Sequence, residues 1–490
     1  MHYDWNPRFP TGFLFGASSA AWQVEGATTE DGRTPAIIDL NSQKKAPFVD
    51  NKFTADHYHR YAEDVALMKE CGLSSYRFSI AWPRIIPAAD GAVNPAGVAF
   101  YNNLIDELLA AGITPIVTLY HYDMPVWAQE ELGGWRSRDI IPAFEHYVRT
   151  CFEAFGDRVK YWLSINEQNM QICYGDWLGV SKGVEDWFRD KWKINHIMNL
   201  CHATAVNLCH ELVDGGKIGP VPGYVPIYPE TCRPEDQIAA MNAEEFTEKI
   251  WCDTYAYGDY SPFVYNYWSN NHIDPDIRPG DIETMKRAKS DFLAVNCYRS
   301  NTARHAPADA EAQEYLLNAS GKKGELTFPV VPGQYALTRN PYVEYTDWDW
   351  EIDPVAMRYA LRYLWDHYRL PMVITENGLG AHETKSPDGR VHDPQRLDYI
   401  RDNLYQIGLA IEDGVDVFGY NAWTFTDLLS TGNGMAKRYG FVFIDTTDEE
   451  QKATDNVSAL ALTRIPKDSY YWYQSFIASG ATQWGKEMSN

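Results

Sequence analysis

The chain has 490 residues, 45% of them hydrophobic, and 43 basic against 67 acidic side chains leave a net charge of −24. That is ample apolar material for a large core, and the acidic excess, spread along the chain, argues against a nucleic-acid partner, which needs a basic face. It also repels anions at long range, so an anionic substrate must be held by local groups.

No run approaches the roughly 18 apolar residues needed to span a bilayer, and Met1–Pro7 shows no basic region leading into an apolar stretch. The eight cysteines are scattered without a Cys-x-x-Cys pair, which reads as reduced, mostly buried thiols. A cytoplasmic enzyme without a membrane segment is expected. The length is compatible with about three domains, but α/β barrels often reach it as one unit.

Taken in chain order, a first strand is expected at Phe13–Gly16, followed by a helix over Thr54–Cys71 that turns Tyr58, Tyr61, Val65 and Met68 to one face and stops at Gly72. A strand at Tyr76–Ile80 precedes a helix over Val98–Ala111, with Tyr101, Leu104, Ile105 and Leu108 inward and Gly112 as its stop. Further strands are expected at Thr114–Leu119, Trp162–Asn166, Lys217–Gly219, Phe292–Asn296, Met372–Thr375 and Val417–Trp423. Continuous apolar character, instead of strict alternation, is what parallel strands covered on both faces show. Eight alternating β and α units predict a closed parallel barrel. The expected architecture is α/β, a single (β/α)8 TIM barrel over 1–490 with elaborated βα loops. Residues 300–345 are polar and lack periodicity, so a long loop over the barrel mouth is expected there.

Glu167 follows directly on Tyr161–Asn166, and Glu376 on Met372–Thr375. Residues at the carboxyl ends of barrel strands line the active-site mouth, so both carboxylates are expected to converge on one pocket. Two carboxyls facing each other are the equipment for breaking a glycosidic bond. A solvated or capping carboxylate is the plain alternative for either. Against it, Asn166 and Asn377 adjoin the two glutamates as donors for sugar hydroxyls, and Arg77, His121, Tyr298 and Trp423 end other strands.

Several ordered motifs extend this pattern. They are Phe9-Pro10-x-x-Phe13-x-Phe15-Gly16-Ala17-Ser18-Ser19-Ala20-Ala21-x-Gln23-Val24-Glu25-Gly26, Tyr76-Arg77-Phe78-Ser79-Ile80-Ala81-Trp82-Pro83-Arg84-Ile85, His121-Tyr122-Asp123-Met124-Pro125 and Ile374-Thr375-Glu376-Asn377-Gly378. Over nearly its whole length the sequence resembles glycoside hydrolase family 1, the β-glucosidase-like retaining enzymes. The resemblance implies Glu376 as nucleophile and Glu167 as acid/base, supported by Arg77, Asn296 and Tyr298. It implies glycone contacts from Gln23, His121, Tyr122, Asn166 and Trp423. It also implies an aglycone platform at Trp350, for which ordinary packing is the alternative. Arg77 is expected to keep Glu376 ionised, while the charge of Glu376 raises the pKa of Glu167. The family usually carries Pro after the acid/base. Here the run is Asn166-Glu167-Gln168-Asn169-Met170, a departure shared by many phospho-glycosidase members.

After the eighth strand the chain reads Trp423-Thr424-Phe425-Thr426-Asp427-Leu428-Leu429-Ser430-Thr431-Gly432-Asn433-Gly434-Met435-Ala436-Lys437-Arg438-Tyr439-Gly440. In family members acting on free sugars, a Glu-Trp pair stands where Ser430-Thr431 stand here. A carboxylate there would repel a phosphate of about −1.5 to −2 charge; serine removes the repulsion and supplies a donor. Ser430, Lys437 and Tyr439 resemble the phosphate site of 6-phospho-β-glycosidases, with the ammonium giving a charge-assisted bond. A solvated basic patch at Lys437-Arg438 is the alternative. The expected substrate is a 6-phosphorylated β-glucoside, such as cellobiose or gentiobiose 6′-phosphate. A 6-phospho-β-galactosidase, an ordinary β-glucosidase and a sugar-binding pseudo-glycosidase are the alternatives, and Thr431, where Trp is common, leaves the epimer contact open.

The run containing His196, Cys201, His202, Cys209 and His210 invites a metal reading. On a helix, however, the two cysteines lie about 12 Å apart along the axis, too far to share one zinc. No metal and no cofactor are expected. A monomer and a homodimer both stay open.

Overall fold

The computed structural model of the protein describes residues 6–44, 51–175, 180 and 184–485. Residues 1–5, 45–50, 176–179, 181–183 and 486–490 lie outside the described residues.

Eight strands form one parallel sheet: β1 (Leu14–Ser18), β2 (Ser75–Ser79), β3 (Thr114–Tyr120), β4 (Tyr161–Asn166), β5 (Lys217–Val221), β6 (Leu293–Asn296), β7 (Met372–Glu376) and β8 (Val417–Trp423). β1 lies between β8 and β2, so the first strand closes the ring against the last. β5 and β6 meet through a parallel bridge at Gly223 and Asn296 and the bond from Asp291 N to Ile218 O at 2.9 Å. All eight expected strands are present, with no bound moved by more than two residues and the last, Val417–Trp423, unchanged.

The apolar runs arise because each strand is covered twice. Ile116, Leu163, Val221, Phe292, Ala294 and Val373 form a buried cluster of their own. Their strand neighbours Val117, Trp162, Ile218, Leu293, Val295 and Ile374 join the large cluster shared with the helices. Side chains alternate between the two faces of a strand, so the first set fills the barrel and the second packs outward.

The expected helices are found at His57–Cys71 and Pro95–Ala110. Gly72, at φ 83°, ends the first in the left-handed conformation that glycine adopts without cost. The segment 300–345 departs from expectation. Asn301–Arg304, Val330–Val331 and Tyr335–Thr338 join Ile227–Pro229 in a four-stranded sheet, over a small core of Ile227, Ala303, Tyr335 and Leu337. Strands of two to four residues are too short for their alternation to be read from sequence. The same segment reaches the candidate site, where Asn433 donates to the carbonyls of Asn318 and Ala319.

Candidate active site

At the carboxyl ends of β2, β4, β6 and β7 polar side chains form a connected set, with Arg77, Asn166, Asn296 and Glu376 buried and Glu167 and Tyr298 half-buried. The Arg77 guanidinium bonds Thr118 Oγ1 through Nε at 2.8 Å, Asn166 Oδ1 through Nη2 at 2.6 Å and Glu376 Oε1 through Nη1. Tyr298 donates its hydroxyl to Glu376 Oε2 at 2.6 Å. On the other side, Glu167 Oε2 accepts from the Tyr122 hydroxyl at 2.7 Å and Oε1 from Asn296 Nδ2 at 3.0 Å. Asn296 also hydrogen-bonds Glu376, so one amide touches both carboxylates. Thr375 Oγ1 fixes that amide by donating to its Oδ1 at 2.8 Å.

Local backbone sets these directions. Glu167 at φ 42° and Tyr122 at φ 71° both occupy the left-handed region, which non-glycine residues adopt only when their surroundings hold them there. Gly223 faces Glu167 across the pocket wall; a Cβ on it would lie 2.9 Å from Met170 Cε and 3.1 Å from Glu167 Oε1. Gln168, in the position where the family usually has Pro, turns away and donates to Asn195 Oδ1 and Asn199 Oδ1, each at 2.8 Å. The missing proline is thus replaced by a satisfied buried amide.

Burial pushes the Glu167 carboxyl up to about 7, and the charge of Glu376 adds to the rise. Glu376 differs from expectation. Burial raises it too, and the Arg77 charge and the bonds from Tyr298, Arg77 and Asn296 oppose that rise without reversing it. Two ionised carboxylates in one largely buried pocket repel each other, so a single proton is favoured between them. The guanidinium and phenol on Glu376 direct that proton to Glu167.

His121 lies beside Asn166 on the same wall of the pocket. Asn166 Oδ1 accepts from Arg77 and Asn296, so its Nδ2 faces His121 Nε2 at 3.2 Å as donor. Nε2 is therefore the acceptor, and Nδ1 carries the hydrogen. Burial and the Arg77 charge hold the ring well below its ordinary pKa, hence neutral. Its face stacks on Trp423 with centroids 6.0 Å apart.

The loop after β8 brings a second group to this end of the barrel. Gln23 Nε2 donates to Leu429 O at 2.8 Å, and Leu429 N returns a bond to Gln23 O. Ser430 begins a turn closed by its N–H to Gly434 O at 3.0 Å, and its hydroxyl bonds Tyr439. Lys437 is buried, at 2% exposure. Its Nζ lies 3.9 Å from the ring centre of Trp350, 5.0 Å from Trp348 and 5.5 Å from Tyr439. Among the described residues no carboxylate pairs with it, and burial, reinforced by the charge of Arg299, holds its pKa well below the ordinary lysine value. A solvated basic patch is thereby excluded: Lys437 sits in an aromatic box, and Arg438 is tied to Asp427 Oδ2 at 2.9 Å.

Trp350 therefore joins the cationic cluster, and its ring meets Tyr298 edge-on at 5.6 Å. Trp348 and Arg299 were not read from the sequence; the Trp348-x-Trp350 spacing and the adjacency of Arg299 to Tyr298 are the signals that point to them. Gly380 makes room for the lysine, since a Cβ there would lie 2.5 Å from Lys437 Cε. The histidines of the Cys/His run separate on their helix, Trp187–Leu212. His196 bonds Tyr260 and Asp281, His202 bonds Ser164, and His210 bonds Asp291.

The family model described as glycosyl hydrolase family 1 matches residues 5–481. The chain is 44% identical to the aryl-phospho-β-D-glucosidase BglC of Bacillus subtilis (strain 168), over 96% of this chain and 97% of that protein. It is 36% identical to the phospho-cellobiase of Klebsiella oxytoca, over 96% and 98% respectively. Among solved structures, the family 1 β-glucosidase from Thermotoga maritima superposes with a TM-score of 0.83 at 32% identity, covering 97% of this chain and 99% of that one.

Proposed function

The chain belongs to glycosyl hydrolase family 1, and from that premise we propose that it hydrolyses 6-phospho-β-glucosides with retention, releasing glucose 6-phosphate and an aglycone. The observation that carries the phosphate reading is Lys437, a buried ammonium beside Ser430 and Tyr439 with no carboxylate partner among the described residues. An uncompensated buried cation is costly, and a phosphate dianion on the sugar offsets that cost. The names of the relatives point the same way, toward gluco-configured phosphorylated substrates.

In this reading Glu376 attacks the anomeric carbon as the bond to the leaving oxygen breaks, and Glu167 delivers its proton to that oxygen. The glycosyl ester removes the charge of Glu376, which is the second cause of the raised Glu167 pKa. Glu167 then becomes a stronger acid, stays ionised, and takes a proton from the water that attacks the anomeric carbon. That attack breaks the ester bond and regenerates Glu376 as a carboxylate. His121, Gln23, Asn166, Tyr122 and Trp423 hold the glycone hydroxyls, and Trp350 borders the aglycone side. A cytoplasmic setting is part of the proposal, supported by eight cysteines that are all free; no helix among the described residues is long and apolar enough to cross a membrane.

The test compares kcat/KM for nitrophenyl β-glucoside and its 6-phosphate. The phosphorylated compound is expected to be preferred, and Lys437→Ala to raise its KM by about tenfold or more, the worth of one charge-assisted bond. A wild-type preference for the neutral glucoside removes the phosphate reading.

A further inference from the structure

Arg299 is a second buried cation beside the pocket. It follows Tyr298 just beyond β6 and is 9% exposed. Its Cζ lies 5.4 Å from the ring centre of Trp350, the same indole that carries Lys437 Nζ at 3.9 Å. The carboxylate nearest to it is Glu351, whose Oε2 is 3.6 Å from Arg299 Nη1, beyond hydrogen-bond length. Nη1 itself has no acceptor among the described residues, and Tyr315 is the guanidinium's side-chain hydrogen-bond partner.

Two cations sharing one indole repel each other in a medium of low dielectric constant. Neither Glu351 nor Glu248, which also feels the Arg299 charge, balances them, because burial raises Glu351 to about 7 and Glu248 well above the ordinary carboxylate value. The ligand that relieves both is a dianion held between Ser430, Lys437 and Tyr439.

We propose that Arg299 is a specificity-determining residue for the glycone: with Lys437 it shares the Trp350 ring and supplies the second positive charge that a 6-phosphate neutralises and a free hydroxymethyl group does not. The inference rests on the phosphate reading above. Arg299 acts on the charge of the sugar, so its loss weakens binding of the phosphorylated substrate through KM and leaves the carboxylate pair in place. A role confined to balancing Glu351 predicts a different outcome, because removing both charges together would then restore the wild-type behaviour.

The experiment measures kcat and KM for nitrophenyl β-glucoside and its 6-phosphate with wild type, R299K, R299M, the double variant R299M/E351Q and K437M. Selectivity is the ratio of the two kcat/KM values. Expected is a fall in selectivity of about tenfold or more in R299M and in R299M/E351Q, carried by KM, with R299K within about threefold of wild type. If R299M fails to fold, R299M/E351Q, which strands no charge, carries the comparison. Wild-type selectivity retained in R299M/E351Q overturns the inference. If K437M loses selectivity in that same set, the phosphate reading stands and Arg299 alone is wrong; a wild type with no preference for the phosphorylated compound overturns both.

Discussion

Glu167 and Glu376 are both carboxyls at strand ends, and their neighbours make them different. Glu376 receives a guanidinium and a phenol, whereas Glu167 receives only a phenol and an amide. Burial and the charge of Glu376 raise Glu167 to about 7, so its proton is present below that pH and is lost as pH rises through it. The rate of glycosyl transfer is therefore expected to fall on the alkaline side of about pH 7. Carboxyl NMR on ¹³C-labelled protein checks the cause. Glu376→Gln removes the charge and leaves the burial, so Glu167 must titrate lower in the variant; an unchanged titration would remove the charge coupling. The two glutamates were legible because each closes an apolar run. Arg299 was not, because a lone arginine carries no periodicity and its partners, Trp350 and Lys437, come from distant parts of the chain.

The strands were legible for a simple reason: each is buried on both faces, and such runs stay apolar from end to end. The loop after β8 was half legible. Its serine, lysine and tyrosine stood out as a departure from a familiar motif, but what holds them in place did not. Arg396, on the helix Pro394–Glu412, donates through Nε to Tyr439 O at 3.0 Å and through Nη2 to Arg438 O at 2.9 Å. It is balanced by Glu383, which also receives Lys467, and Lys467 reaches Asp427 Oδ1 at 2.7 Å. This buried network stakes down the segment that presents Lys437 and Tyr439. Breaking such a pair from one side costs about 3–5 kcal/mol. Arg396→Met is expected to lower stability to chemical denaturation by that order and to weaken binding of glucose 6-phosphate in the same protein. Calorimetric titration showing native affinity would mean that the loop holds its shape without the arginine.

With a net charge of −24, the molecule as a whole repels the dianion that its pocket is proposed to bind. The two effects separate by range. Salt at 0.15 M screens beyond about 8 Å, while buried groups are screened much less. Raising ionic strength from about 0.01 M to 0.15 M is therefore expected to increase kcat/KM for the phosphorylated substrate by relieving the long-range repulsion, with no comparable change for the neutral glucoside. A decrease with salt would place the recognising charge on the exposed surface and not in the aromatic box. The barrel and its placement of both carboxylates at one end were readable from the alternation of elements. The small sheet built from residues 300–345 was not, since its strands are too short to show a period.

The most direct test of the account is covalent trapping with a 2-deoxy-2-fluoroglucosyl fluoride carrying a 6-phosphate, read by peptide mass spectrometry. The account predicts an adduct of the phosphorylated fluorosugar on Glu376, formed faster than with the unphosphorylated reagent and slowed in Lys437→Ala. An adduct on another residue, or faster labelling by the neutral sugar, would contradict it.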